Sequence, residues 1–238
     1  MGVLCNATDS HLTSTVALSP GTGDPISITT WMSAIWSTAT TTGAKSLVGI
    51  YGPNATAPTT AIQIGSRTTN NTVFVWTYGG SVLINSTAGA VADGVNHFIA
   101  YTFNGTTHSL YIDGVLNATS TTAQIAGQFN TFYINGYPPG TNSECAAYQV
   151  ESVRLYSREL SAPEVLTIYS TRGARHNVCY GLLAYFEFDE GGQGTPIATC
   201  FDLSGAQTPA PLTWTGTGTP MTYTYSIGEA KLRPVVVN

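Results

Sequence analysis

Apolar and polar positions alternate most regularly between His97 and Gly173. From Asn96 to Phe103, one face carries His97, Ile99, Tyr101 and Phe103, and the other carries Phe98, Ala100 and Thr102. Both faces hold bulk, so the spacing predicts a strand covered on two sides. Asn104-Gly105 tolerates positive φ and predicts a hairpin turn. The chain returns through His108, Leu110 and Ile112 to a second turn at Asp113-Gly114. After a polar loop, Phe132 to Ile134 and Val150 to Tyr156 read as strands. Ser161-Ala162-Pro163-Glu164 then has the Ser-x-x-Glu form of a capping box, with proline in the first turn. Val165, Leu166 and Tyr169 form a short apolar stripe, and Gly173 is placed to end the helix in a left-handed conformation.

Earlier in the chain, Pro20-Gly21-Thr22-Gly23-Asp24-Pro25 signals a turn, and Ile26 to Trp36 reads as the first long strand. Shorter strands follow at Ser46 to Tyr51, Ala61 to Ser66, Thr72 to Tyr78 and Ser81 to Asn85. Gly79-Gly80 joins the last two. Strands spaced this evenly, with Gly, Asn, Pro and Thr between them, predict an all-β sandwich.

The segments HFIAYTFNGTTHSLYIDG and VRLYSRELSAPEVLTIYSTRG carry a resemblance. They are similar to the laminin G-like, concanavalin A-like jelly-roll family, over roughly residues 8 to 175. The resemblance implies a jelly-roll β-sandwich with one short helix near 161–172. It also implies that the "ITTW" strand, with Trp31, lies in the core. Such modules serve adhesion, glycan binding, glycoside hydrolysis and bacteriophage particles, so the fold carries over further than the function.

The order of the chain then departs from the family. GLLAYFEFDEG, from Gly181 to Gly191, and DLSG, from Asp202 to Gly205, resemble segments that open such a domain. Here they follow the helix that closes it. The chain divides into a sandwich over 1–175 and a C-terminal segment over 176–238. That segment could complete the same sandwich in permuted order, complete a neighbouring subunit's sandwich, or form a small subdomain. Completion in cis is the expectation, because an incomplete sandwich leaves a bare strand edge.

Composition narrows the classes. Hydrophobic residues make up 42% of the 238, and charged residues only 9%. A surface this poor in charge suits a protein packed against neighbours, and abundant threonine suits the solvent face of strands. Eight Lys and Arg and a net charge of −5 disfavour nucleic-acid binding. Four cysteines, Cys5, Cys145, Cys179 and Cys200, form no CxxC pair, and free buried thiols are expected. The first residues lack the basic and apolar regions of a signal peptide, and no apolar run is long enough for a membrane span.

No catalytic set emerges. The acidic run Glu187-Phe188-Asp189-Glu190 approaches the Glu-x-Asp-x-x-Glu strand of some concanavalin-like glycosidases, but Gly192 stands where the third acid belongs. No Gly-x-Ser-x-Gly elbow is present. His97 and His108 read as packed or hydrogen-bonded strand residues. Asp93, Asp113, Asp189 and Asp202 are scattered turn acids without Asp-x-Asp spacing. No cofactor is expected, and calcium on the loops is the one metal the resemblance leaves open.

Two functional readings follow. The first is a non-enzymatic virion structural protein, such as a bacteriophage capsid decoration protein on the virion surface. It would partner the major capsid protein or other virion proteins, assemble as a homo-oligomer, with a trimer expected, and dock through the apolar tail Pro234, Val235, Val236 and Val237. The second is a carbohydrate-binding, lectin-like module for surface glycans. Its contact would be Tyr137 beside the rigid Pro138 and Pro139, which could equally meet a partner subunit.

Overall fold

The structure is a computed structural model. It describes residues 2–5, 11–15, 23–34, 44–52, 61–67, 70–76, 82–91, 94–122, 129–136, 148–172, 178–206, 209, 211–215 and 220–224. The first strands are β1 (Gly2–Leu4), β2 (His11–Thr15), β3 (Ile26–Ala34), β4 (Ala44–Tyr51), β5 (Ala61–Arg67), β6 (Thr72–Trp76) and β7 (Val82–Asn85). Then come β8 (Asn96–Phe103), β9 (His108–Ile112), β10 (Val115–Ser120), β11 (Thr131–Ile134) and β12 (Tyr148–Tyr156). The helix α1 (Ala162–Ser170) precedes β13 (Leu182–Phe186), β14 (Thr199–Cys200), β15 (Leu212–Thr215) and β16 (Thr222–Thr224).

These strands form two antiparallel sheets. The first runs β10-β9-β8-β3-β12-β1-β16, with β13 also on β12. The second runs β14-β15-β2-β11-β4-β5-β6-β7. Alternation sends Ile28, Met32, Ile99, Tyr101, Val153 and Leu155 inward from the first sheet. Val48, Ile50, Ile64, Val75, Phe132 and Ile134 meet them from the second. Phe132 and Phe186 stack across the gap at 5.8 Å. The core also holds paired polar groups. The Tyr148 hydroxyl and Ser66 Oγ lie 2.5 Å apart, linking the two sheets. His108 Nε2 donates to the Thr122 carbonyl at 2.6 Å, so its Nδ1 accepts from the Tyr101 hydroxyl at 2.9 Å.

The outer face of the first sheet carries a second apolar layer. Trp31, Phe98, Ala100, Tyr111 and Tyr156 pack beneath Leu160, Val165 and Ile168. Trp31 is therefore buried, but under α1 rather than between the sheets. Its ring stacks on Tyr169 at 5.5 Å, and the Arg172 guanidinium lies 4.9 Å from its centre. The expected helix stripe also shifts. Val165, Ile168 and Tyr169 face the sheet, whereas Leu166, 100° further round the helix from Val165, is exposed. The helix closes with Arg172 at φ 45°. Gly173, expected to take that role, lies outside the described residues.

The chain after α1 returns to the same sandwich. Val153 pairs with Phe186 and Leu155 with Ala184. Trp214 pairs with Leu12 in the second sheet, and Tyr223 pairs with Val3 in the first. Threonine is not confined to solvent faces: Thr29, Thr30 and Thr102 are buried, because the first sheet is covered on both sides in this region. No helix among the described residues is long and apolar enough to cross a membrane.

Candidate functional site

Arg158 is the hub of one end of the molecule. It lies just past the end of β12, and the capping turn of α1 curls back over it. Its Nη1 and Nη2 donate to the two Glu164 carboxylate oxygens at 2.9 and 2.6 Å. Its Nε donates to the Tyr180 carbonyl at 2.7 Å, and Nη1 also reaches the Glu159 carbonyl at 3.0 Å. Glu164 further accepts from the Ser161 backbone N–H and hydroxyl, each at 2.8 Å. This is the carboxylate half of the expected capping box. Four donors converge on the carboxylate, led by the Arg158 guanidinium, and hold its pKa down to about 2.

The same arginine positions an aromatic ring. Tyr180 is 84% exposed, the most open of the large hydrophobic side chains among the described residues. The Arg158 guanidinium lies 5.5 Å from its centroid. Gly181 follows at φ 74°, and a Cβ there would press on the Arg158 side chain at 3.1 Å. The turn that presents Tyr180 thus depends on a glycine and on the arginine behind it. The result is an exposed aromatic ring with a fixed cation over it and a carboxylate holding that cation. Sequence periodicity does not mark either residue, because Tyr180 belongs to no strand and Arg158 to no apolar stripe.

The acidic run takes a different arrangement from a glycosidase strand. β13 ends at Phe186, and Phe188 adopts φ 54°, which breaks the alternation needed to align carboxylates on one face. Glu187 is buried and accepts a hydrogen bond from the Tyr185 hydroxyl. Arg154 donates to that hydroxyl at 3.3 Å, and its guanidinium lies 4.4 Å from the ring centre. Burial pushes the Tyr185 hydroxyl above its ordinary pKa. Glu190 instead accepts from the Phe201 N–H at 2.9 Å.

The turn acids are also in structural use. Asp113 accepts from the Phe98 N–H and lies 2.8 Å from His97 Nδ1. Asp202 accepts from the Tyr185 and Ser204 N–H groups. Among the described residues, no group of three His, Cys, Asp or Glu is placed to hold a metal ion. Cys179 is an exposed thiol rather than a buried one, whereas burial pushes the Cys200 thiol up to about 12. Tyr137, Pro138, Pro139, Asp93, Cys145 and the tail Pro234, Val235, Val236 and Val237 lie outside the described residues.

The chain belongs to the concanavalin A-like lectin/glucanases superfamily, whose family profile matches residues 6–166. No curated protein matches it in sequence. In structure it is similar to a putative carbohydrate binding protein from Bacteroides ovatus ATCC 8483. That likeness has 12% identity and a TM-score of 0.59, and covers 93% of this chain and 58% of that one. It is also similar to a heptameric SAP-like pentraxin from Limulus polyphemus, at 12% identity and TM-score 0.55, covering 73% of this chain and 83% of that one. Trypanosoma rangeli sialidase in complex with sialic acid aligns at 16% identity and TM-score 0.50, over 64% of this chain and 24% of that one. The chain thus spans about a quarter of the sialidase. The expectation of a non-enzymatic protein is corrected here, because the fold recurs within sialidase chains and gives no ground for excluding activity.

Proposed function

We propose that this protein is a carbohydrate-binding, lectin-like module that contacts sugar through Tyr180. The observation that carries this reading is the exposed Tyr180 ring beside Arg158 and Glu164. The apolar C–H face of a pyranose stacks on an open aromatic ring, while neighbouring charged groups take its hydroxyls. Both terminal Arg158 nitrogens are already bound to Glu164, so the rim is neutral in sum and suits a neutral sugar rather than an acidic one. Membership of a superfamily described by lectins and glucanases supports the reading, as does the likeness to a putative carbohydrate binding protein.

Glycan-array screening followed by calorimetric titration tests it. Tyr180→Ala should weaken binding at least tenfold, about 1.4 kcal/mol, with the fold intact. A wild-type protein that binds no glycan, or a Tyr180→Ala variant that binds like wild type, overturns it. Tyr137→Ala is the companion variant, and a loss confined to it would move the contact to the 136–146 loop.

The division into a 1–175 sandwich and a segment over 176–238 that completes it belongs to the same proposal, supported by the pairing of β13, β15 and β16 with earlier strands. The narrower reading, a decoration protein on a bacteriophage particle, rests on the low charge and the apolar tail of the sequence. Cosedimentation with purified capsids would test that reading.

A further inference from the structure

We propose that Ser33, Asn96 and Glu151 hold a hard cation on the outer face of the first sheet, just beyond the layer that α1 covers. Strand register builds the place. Ser33 of β3 pairs with Asn96 of β8 on one side and with Gln149 of β12 on the other. Alternation puts Ser33 and Asn96 on the face of Trp31 and Phe98, which stand two residues away on the same strands, beneath α1. Between Val150 and Val153 the register of β12 shifts against β3, and such a bulge re-aims the side chains it carries. Glu151 sits there, and Asn96 Nδ2 donates to its Oε1 at 2.9 Å. β8 and β12 flank β3, so these two side chains meet across β3, beside Ser33.

The oxygens gathered there lack the partners that burial demands. Ser33 is 0% exposed, and its Oγ makes no hydrogen bond. Asn96 Oδ1 is buried and accepts none. Glu151 is 7% exposed. Among the described residues it forms no ion pair, and its bond from Asn96 comes from a neutral amide. A water molecule satisfies the Ser33 and Asn96 oxygens but leaves a buried carboxylate charge unopposed. Buried charges are paired with an opposite charge or bind a metal ion. A cation answers all three groups at once.

The donor set is oxygen only: one carboxylate, one amide oxygen and one hydroxyl. It suits calcium, sodium or potassium, with water completing the coordination, and not the metals that seek sulfur or imidazole. Two of the three ligands are neutral, so the place is not a cluster of acids, histidines or cysteines. A cation here ties the three neighbouring strands β8, β3 and β12 together on the face that carries α1.

Thermal unfolding of the full chain, first treated with chelator, tests this. Calcium, sodium and potassium chloride are each compared with tetramethylammonium chloride at equal ionic strength. At least one metal salt should raise Tm with a saturable dose dependence. Glu151→Gln keeps an acceptor for Asn96 Nδ2 but removes the charge, and should weaken the affinity for that metal at least about tenfold. Asn96→Asp adds a second carboxylate and should enlarge the metal-dependent rise in Tm. An asparagine with a structural role alone predicts instead that Asp destabilises equally in every salt. If Glu151→Gln does not fold, Asn96→Asp decides by itself. A wild-type protein that responds alike to all four salts overturns the proposal. So does a metal-dependent rise that survives Glu151→Gln, or one that Asn96→Asp fails to enlarge.

Discussion

Glu164 offers a measurable link between helix capping and the Tyr180 turn. Glu164→Gln keeps an acceptor for the Ser161 N–H but removes the charge facing Arg158. Glu164→Ala removes both. The carboxylate is 33% exposed and the guanidinium 20%, so solvent screening limits the ion pair to about 0.5–1 kcal/mol. Loss of the cap adds about 1 kcal/mol. The Gln variant should therefore lose about 0.5–1 kcal/mol, and the Ala variant about 1.5–2 kcal/mol. For a chain of this length, Tm falls by about 2–4 °C per kcal/mol, giving a drop of about 3–8 °C for Ala. The pH dependence has a definite sign. Folding depresses the Glu164 pKa from 4.5 to about 2. Its contribution is present in full above 4.5 and disappears as pH falls toward 2. The gap between wild type and Glu164→Ala should narrow over that window, as followed by calorimetry. Hydrogen exchange should show faster exchange of the α1 amides in the variant. An Ala variant as stable as wild type at pH 7, or a gap that stays constant from pH 5 to about 2, would refute the reasoning.

Two further outcomes follow from the core. Burial holds the His108 pKa below 6.5, so stability should decline as pH falls through about 6.5 toward the lower folded value. Denaturant titrations of wild type and His108→Gln should converge at acid pH, and nitrogen NMR should find the neutral Nε2–H tautomer at pH 7. Phe186→Ala should cost about 3–5 kcal/mol in one cooperative transition, since Phe186 fills the gap between the sheets against Phe132. A variant that unfolds in two steps, with residues before 175 unaffected, would show that the segment after α1 is not part of the core.

Strong local signals carried much of the fold. Asn104-Gly105 and Asp113-Gly114 mark both turns around β9, and Ser161 with Glu164 marks the start of α1. β8 alternates two bulky faces because one lines the sandwich and the other lies under the helix. Trp31 shares that outer face, which its identity alone does not reveal. β10 passed as polar loop, since Val115, Leu116 and Thr119 face solvent and its alternation is broken by a bulge. The two- to four-residue strands β1, β14, β15 and β16 are too short for any period to show. The candidate site was less legible still. Glu187 stood out as an acid, but its role depends on Arg154 across a strand pair 33 residues away, a contact set by tertiary register. Tyr180 is defined by exposure, which no local pattern encodes.

The sheet pairings constrain how the chain can be made. β1 pairs Val3 with Val150 and with Tyr223, and β2 pairs Leu12 with Ile134 and with Trp214. β1 and β2 leave the ribosome long before β16 and β15, which pair with them on their other edges. The second sheet cannot close around β2 until β15, ending at Thr215, is made, nor the first around β1 until β16, ending at Thr224, is made. Such distant pairings slow folding, because loop closure precedes the contacts that stabilise it. During that interval β1 and β2 each keep an open strand edge, exposed to chaperones or to another nascent copy. Slowing synthesis between β12 and β16, rather than before β12, should lengthen that exposed interval and lower the yield of native protein.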